Sequence, residues 1–402
     1  SVEINASSKS NSYIGPGAEI GITNRNLFGG GEQLGVTLTG NYEWQTGKGA
    51  SSLFNSYEVG VTTTLSFPRM LAPGFIKRRN RNLNWTRFSL NADLLNRPHY
   101  FKMAQFNFSF SYDWQSSRYS SHTLTPFKLT YTKLMKTTAD FDSIISQNPA
   151  IALSFMSQYI PQLSYTYTYD RNYGPDNTFN WTFTAQEAGN LFWSVYELCG
   201  SKGEKKLFGT PFSQFIKGTT QVVYGRRLWG DNWLVSRVAL GAAWAYGNSS
   251  QVPYSEQFYV GGANSIRAWT VRELGPGSYR APADQRNGYF DQTGTFKFEL
   301  NTEYRFPIVG PLHGAVFIDA GNVWLLKKDP LRPGGELKAS TFLKDIALGT
   351  GVGLRFDISM LILRADLGIG IHAPYDTGKS GYYNMTSFKN SLAFHLAIGY
   401  PF

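Results

Sequence analysis

Between Thr295 and Pro307, Phe296, Phe298, Leu300, Tyr304 and Phe306 take the even positions, and Lys297, Glu299, Asn301, Glu303 and Arg305 take the odd ones. Period two belongs to a strand, because on a helix it would spread the aromatics around the whole circumference. One such strand fits a soluble sandwich as well as a membrane wall. The pattern then recurs. Leu348 to Ile358 sets its apolar residues against Gly349, Gly351, Gly353, Arg355 and Asp357; Leu361 to Ile371 opposes Arg364 and Asp366; Leu392 to Phe402 opposes Ala393, His395, Ala397 and Gly399. Charged faces on consecutive strands cannot share a dry core, since each unpaired buried charge costs several kcal/mol. They can line a wet lumen while the apolar face meets lipid. The expected fold is all-β: a transmembrane antiparallel β-barrel.

The first half agrees in pattern. Alternation is weak from Val2 to Ser8 and clearer over Gly15 to Arg25, Gln33 to Gln45 and Tyr57 to Phe67, with a turn at Asn26–Gly31. Phe106, Phe108, Phe110 and Tyr112 alternate with polar residues, as do Tyr165, Tyr167 and Tyr169, and further strands are expected at about 214–228 and 233–246. Segment 137–160 is expected to hold a short helix in an outer loop, and 194–212 reads as a polar loop. The count is about sixteen strands in one barrel domain over residues 1–402, with short connections alternating with long ones.

Composition narrows the alternatives. Aromatic and charged residues each make up 16% of the 402 residues. Mean hydropathy is −0.28, and no apolar run reaches eighteen residues, which excludes a helical span but not a barrel whose strands need only ~10 residues. The formal charge of +10 is scattered. The one tight basic run, Lys77 to Arg81 after Pro73-Gly74, reads as a solvated turn or a headgroup contact, so nucleic acid is not an expected partner. A single cysteine, Cys199, permits neither an internal disulfide nor a four-cysteine zinc site. The absence of a secretory signal at Ser1 is read as a mature or trimmed start. No His-Glu-x-x-His, Gly-x-Ser-x-Gly, P-loop or paired Cys-x-x-Cys is present. The expectation is a protein with no catalytic residue, metal or cofactor. His395 on the lumen face would suit a barrel lipase, but nothing selects its partners.

The loop between the strands ending near 246 and starting near 295 exceeds forty residues, a length that is usually functional or disordered. Its Gly261–Gly277 stretch carries Ile266, Trp269, Val271 and Leu274, which need somewhere to pack, together with Arg267 and Arg272. It is expected to fold back into the lumen and to be pinned there through Arg267. Glu303 and Asp319 share the inward parity of their strands. A turn centred near Val309-Gly310 places Glu299 almost opposite Asp319, with Glu303 ~13 Å nearer the turn. An arginine suits such a site because its planar fork binds a carboxylate through two parallel hydrogen bonds.

These residues resemble the BamA/TamA superfamily of outer-membrane assembly barrels. Ile266-Arg267-Ala268-Trp269 is similar to that family's Val-Arg-Gly-aromatic loop motif, with Ala in place of Gly. Phe317-Ile318-Asp319-Ala320-Gly321 with Trp324 resembles its Phe-x-Asp-x-Gly motif, and Glu303 with Pro307 a third. The Asn-Leu-Phe-Gly turn and the terminal Phe402 also look like the family. The resemblance implies sixteen strands, the loop in question joining strands eleven and twelve, and an arginine locked onto Asp319 and Glu303. The hairpin geometry favours Glu299 instead. The Ala268 departure puts the local backbone angle in question, because Ala tolerates positive φ poorly, and it tilts the reading towards TamA rather than BamA.

The implied function is an outer-membrane insertase or translocase of Gram-negative bacteria, assisting β-barrel assembly through a weak lateral seam. The seam would be formed by Val2 and Ile4 of the first strand and Gly399, Pro401 and Phe402 of the last, where Pro401 has no N–H for the ladder. Expected partners are outer-membrane lipids, unfolded or nascent β-barrel proteins, and periplasmic or lipoprotein accessory subunits. The family's periplasmic domains of the POTRA type are absent from this chain. A two-partner-secretion polypeptide transporter and a passive diffusion porin are the alternatives.

Overall fold

The computed structural model describes residues 2–5, 13–14, 17–45, 56–71, 84–97, 101–147, 152, 156–200, 203–281, 292–358 and 362–402. Sixteen staves follow one another as antiparallel neighbours: β1 (Val2–Asn5), β2 (Gly17–Asn24), β3 (Gln33–Gln45), β4 (Ser56–Phe67), β5 (Asn84–Arg97), β6 (Phe101–Gln115), β7 (Ser120–Thr137) and β8 (Gln158–Asn172). They continue as β9 (Asn177–Ala188), β10 (Phe215–Arg227), β11 (Trp233–Ala245), β12 (Phe296–Val309), β13 (Leu312–Trp324), β14 (Ala347–Asp357), β15 (Ile362–His372) and β16 (Leu392–Ile398). The short strand Tyr13–Ile14 pairs with the far end of β3 and so extends β2. From β6 onward, connections 116–119, 173–176, 228–232, 310–311 and 358–361 alternate with the long ones, 138–157, 189–214, 246–295, 325–346 and 373–391. Long loops on one rim and tight turns on the other are the outer-membrane pattern, with the long loops outside the cell.

Alternation sets the two faces of the wall. On β12 Glu299, Asn301 and Glu303 are buried while Leu300 is exposed; on β14 Arg355 is buried while Val352, Leu354 and Phe356 are exposed. The exposed apolar row recurs on Ile20 and Ile22, Val36 and Leu38, Leu90, Phe106, Ile318, Leu363, Phe394 and Leu396. A monomer in water does not present so continuous an apolar surface, and lipid accounts for it.

Three readings need correction. Segment 194–212 is not a featureless polar loop: α2 (Asn190–Leu198) opens it and a hairpin of Lys206–Leu207 with Thr210–Pro211 closes it. The helix is hard to read in the sequence because it is only nine residues long and six of them are apolar or aromatic, with Asn190, Ser194 and Glu197 as its one narrow polar stripe. The expected helix in the preceding outer loop is α1 (Ala139–Gln147). Second, the lumen is not simply wet. Towards the long-loop rim it is filled by residues 260–274, whose Val260, Ile266, Trp269 and Leu274 form a core with Val323, Ala347, Ala373, Tyr375 and Met385 of the strand ends and the neighbouring loops. Third, Pro401 lies beyond the ladder. β16 stops at Ile398, and Gly399, with φ of 80°, turns the last residues away from the wall. Val2 to Asn5 pair with Glu19 to Ile22. The basic run Lys77 to Arg81 falls outside the described residues.

Candidate functional site in the barrel lumen

The wall prepares the site by what it leaves out. A Cβ at Gly368 would lie 2.0 Å from the Arg267 carbonyl oxygen, and one at Gly349 would lie 2.4 Å from the Ala268 Cβ. These two glycines therefore allow the loop backbone to rest directly on β14 and β15. Ala268 is not among the residues with positive φ, so the substitution for glycine is accommodated without strain.

Arg267 is fully buried. Its Nε and Nη2 donate to the two oxygens of Asp319 at 2.8 and 2.9 Å, the bidentate fork expected of a guanidinium. Its backbone N–H donates to the same carboxylate at 3.0 Å, so this acid holds the loop by main chain and side chain together. Nη1 donates to Glu303, and the guanidinium lies over the Phe317 ring at 3.5 Å from the centroid. The Arg267 carbonyl meets His395 Nε2 at 2.9 Å. The imidazole thus braces the loop from β16.

The register leaves both glutamates within reach. Asn301, not Glu299, is the partner of Asp319 on the neighbouring strand, because the tight turn at Gly310-Pro311 is followed by a register shift between Pro307 and Val309. Glu299 and Glu303 flank Asn301, two residues to either side. Glu303 takes Arg267, whereas Glu299 takes the loop through the Ser265 hydroxyl and pairs with Arg237 at 3.1 Å. Of the two glutamates left open by the sequence, Glu303, implied by the resemblance, pairs with Arg267, and Glu299, favoured by the hairpin count, holds the loop through Ser265 instead. Asn301 ties the two halves together by donating to Asp319 at 2.8 Å and to the Ser265 carbonyl at 2.9 Å.

Around this core the charges alternate. Arg355 donates to Glu303 at 2.9 Å and to Asp366 at 2.6 Å; Arg305 donates to Glu303 at 2.8 Å; Arg364 reaches the Ala263 carbonyl at 2.9 Å. Their parity put Arg305, Arg355, Arg364 and Asp366 in the lumen, but their partners are set by distances across the barrel that a sequence does not contain. Glu303 and Asp366 are each shared by three cations, and Asp319 is satisfied by Arg267 together with Asn301 and the loop N–H, which is the condition under which buried charge is tolerated. Such a network holds one loop position and penalises others.

A second anchor had no sequence signal. Glu256, in the short 3-10 turn Tyr254–Glu256, accepts from Lys217 of β10 at 2.8 Å and from Gln162 of β8 at 2.7 Å. It fastens the start of the loop to the neighbouring strands β8 and β10, and both ion-pair side chains are mostly covered. Glu256→Gln is expected to weaken docking of residues 254–260 by roughly 1–2 kcal/mol. Hydrogen exchange in that segment should quicken by about tenfold while the Arg267 end stays protected; equal protection in both proteins would remove Glu256 as an anchor.

The tail is held from inside. Tyr400 stacks under Arg305 with 4.1 Å from guanidinium carbon to centroid, and Phe402 lies 5.1 Å from Arg237 in the same sense. Arg305 also donates to the Phe402 carbonyl at 3.3 Å. Gly399, Pro401 and Phe402 are thus placed together as a turned-in end rather than as a frayed continuation of β16. The side chains of Val2 and Ile4 lie outside what is described, and among the described residues no ladder joins β1 to β16.

Comparison with known proteins agrees with this architecture. The Omp85 superfamily domain matches residues 26–402. The outer membrane protein assembly factor BamA of Neisseria meningitidis serogroup B is 32% identical over 90 residues, which is 21% of this chain and 11% of that protein, so the chain spans only a small part of that relative's length. BamA from Haemophilus ducreyi lacking POTRA domains 1–3 superposes with a TM-score of 0.61 at 14% identity, covering 99% of this chain and 75% of that one. CdiB from Acinetobacter baumannii gives 0.53 at 13% identity, covering 99% and 58%. With the family domain running over nearly the whole barrel, loop and arginine site included, the chain belongs to the Omp85 superfamily and is an outer-membrane β-barrel of a Gram-negative bacterium.

Proposed function

We propose that this barrel is an insertase that assists the assembly of other β-barrel proteins, using the seam between β1 and β16 as a template for an incoming strand. The observation that carries the reading is the mismatch at that seam. β16 ends at Ile398 and is seven residues long, against eleven to eighteen for β3–β8 and β10–β15, and beyond it Gly399 turns the chain inward. Among the described residues no ladder joins β1 to β16. Unpaired strand edges bind other strands through main-chain hydrogen bonds, with little regard to side chain. The plugged lumen supports the same reading, since a route through the pore centre is closed by the buried Arg267 network whereas a lateral route is not.

The test is a reversible tether. With Cys199 replaced by serine, cysteines at Ile4 and Leu396 joined by a short bifunctional reagent should slow the folding of a small barrel substrate into vesicles by about tenfold, and cleavage of the reagent should restore the rate. An unchanged rate in the tethered protein would exclude the seam. A passive porin is distinguished by a high and steady single-channel conductance, which the plug opposes. A polypeptide transporter of the two-partner-secretion kind would instead pass its substrate through the lumen, and tethering the seam would leave its transport intact.

A further inference from the structure

We infer that α2 and the hairpin behind it are an amphipathic anchor that lies on the outer leaflet of the membrane, at the boundary between headgroups and acyl chains. α2 follows β9 directly, after Gly189 with φ of 80°. Its inner face is settled: Phe192 and Tyr196 both pack on Phe212, each at 6.2 Å between ring centroids, and Phe212 is buried. Tyr196 donates to the Lys206 carbonyl at 2.5 Å, and Lys205 both pairs with Glu197 at 2.6 Å and lies over Trp193, so helix and hairpin form one unit. The other face carries Leu191, Val195 and Leu198, 64%, 51% and 89% exposed. At 100° per residue these three fall within about 60° of one another, a narrow apolar stripe left exposed among the described residues.

Two observations say what covers the stripe. At the hairpin tip Phe208 is 82% exposed and adopts φ of 48°, a conformation costly for an aromatic residue. It rests edge-on against Tyr159 at 5.9 Å, and Tyr159 stacks on Tyr131 at 4.6 Å. Ile160 and Gln162 point inward, so Tyr159 belongs to the outward parity of β8 along with exposed Leu163. Phe208 is therefore joined to an aromatic row on the lipid side of the rim, the place where such girdles meet headgroups. Beside the helix the outer wall is indented by a cavity of about 500 Å³ lined by Leu163, Ile216, Trp244 and Leu326 above a floor of Ala185, Gly218 and Ala242. The apolar band of the barrel thus runs without interruption from the wall through this hollow to the rim from which α2 springs. Lipid, rather than a protein partner, is the occupant continuous with that band.

Cys199 is exposed, adjoins Leu198 and is the only cysteine of the chain, which makes it a ready reporter. A small fluorophore on Cys199 of the full chain, folded into phosphatidylcholine–phosphatidylglycerol vesicles, should be dimmed by roughly half when the lipids carry a nitroxide near the carbonyl level. Its quenching by aqueous iodide should be about fivefold weaker than that of the same label at Ser380→Cys in a Cys199→Ala background, a position on an exposed loop. Replacing Val195 and Leu198 together by glutamate should abolish both effects while the barrel keeps its heat-dependent gel mobility. Full iodide quenching with no dimming by nitroxide lipid would overturn the inference. Protection from iodide without nitroxide dimming would overturn it too, and would assign the face to a protein, a second copy of this chain if protection fell on dilution. The readout does not involve assembly activity, so it stands or falls apart from the seam.

Discussion

Arg267→Ala is expected to leave a folded barrel that assembles substrate at least about tenfold more slowly. The substitution removes three side-chain hydrogen bonds to Asp319 and Glu303 and leaves Asp319 buried with Asn301 and the loop N–H as its remaining donors. Breaking one side of a buried pair costs about 3–5 kcal/mol, enough to release the loop. The strands keep their own ladders and so survive. Arg267→Lys should rescue little, because a lysine cannot offer the parallel pair of donors that Asp319 accepts. Limited proteolysis within residues 261–277 and an assembly assay on the same sample read the two effects together. Wild-type assembly by a protein whose loop is cleaved would separate the lock from the function.

Gly368→Val tests the same docking from the wall side, and its effect should be nearly as large. The clash is with the backbone of Arg267 at 2.0 and 2.5 Å, not with a side chain that could swing away, so the loop must rise from β15 and lose the fork on Asp319. Overpacking of this kind costs about 1–3 kcal/mol before the lost ion pairs are counted. Gly218→Ala is the control, since a Cβ there meets nothing within 4 Å. Gly368→Val should make the loop cleavable and slow assembly, and Gly218→Ala should do neither. A loop equally protected in both variants would show that the close approach at Gly368 is dispensable.

The parts of the structure that were legible in the sequence are those fixed by a local repeat. Alternation on β12 and β14 gave the wall and its inward face, and parity placed Glu303, Asp319, Arg355 and Asp366 inside. The loop position of Arg267 followed from its length and its apolar residues. What the sequence left open depends on offsets and on space. Asp319 faces Asn301, midway between Glu299 and Glu303, so the choice left open between these two acids is made by where the loop lies rather than by the strand register. The Glu256–Lys217 anchor joins a loop residue to a strand residue 39 positions earlier, and no spacing rule connects them. Gly349 stands out in the sequence only as one of an inward-facing glycine series, Gly368 not at all, and the backbone resting on both is visible only in three dimensions. α2 escaped notice because nine residues span only about two and a half turns, too short for a period of 3.6 to stand out from the neighbouring alternation.

Arg237 is a junction whose importance exceeds its place in the lock. One guanidinium accepts the ring of Phe402 from the chain end, donates to the Asn264 carbonyl of the inserted loop at 2.9 Å, and holds Glu299 and Asn301 of the wall. If the final residues are drawn away by an arriving polypeptide, that cation loses a neighbour on one flank and its grip on the other is altered in the same instant. The stopper in the bore and the fastening at the side are thereby geared to each other, and disturbing either transmits slack to its counterpart.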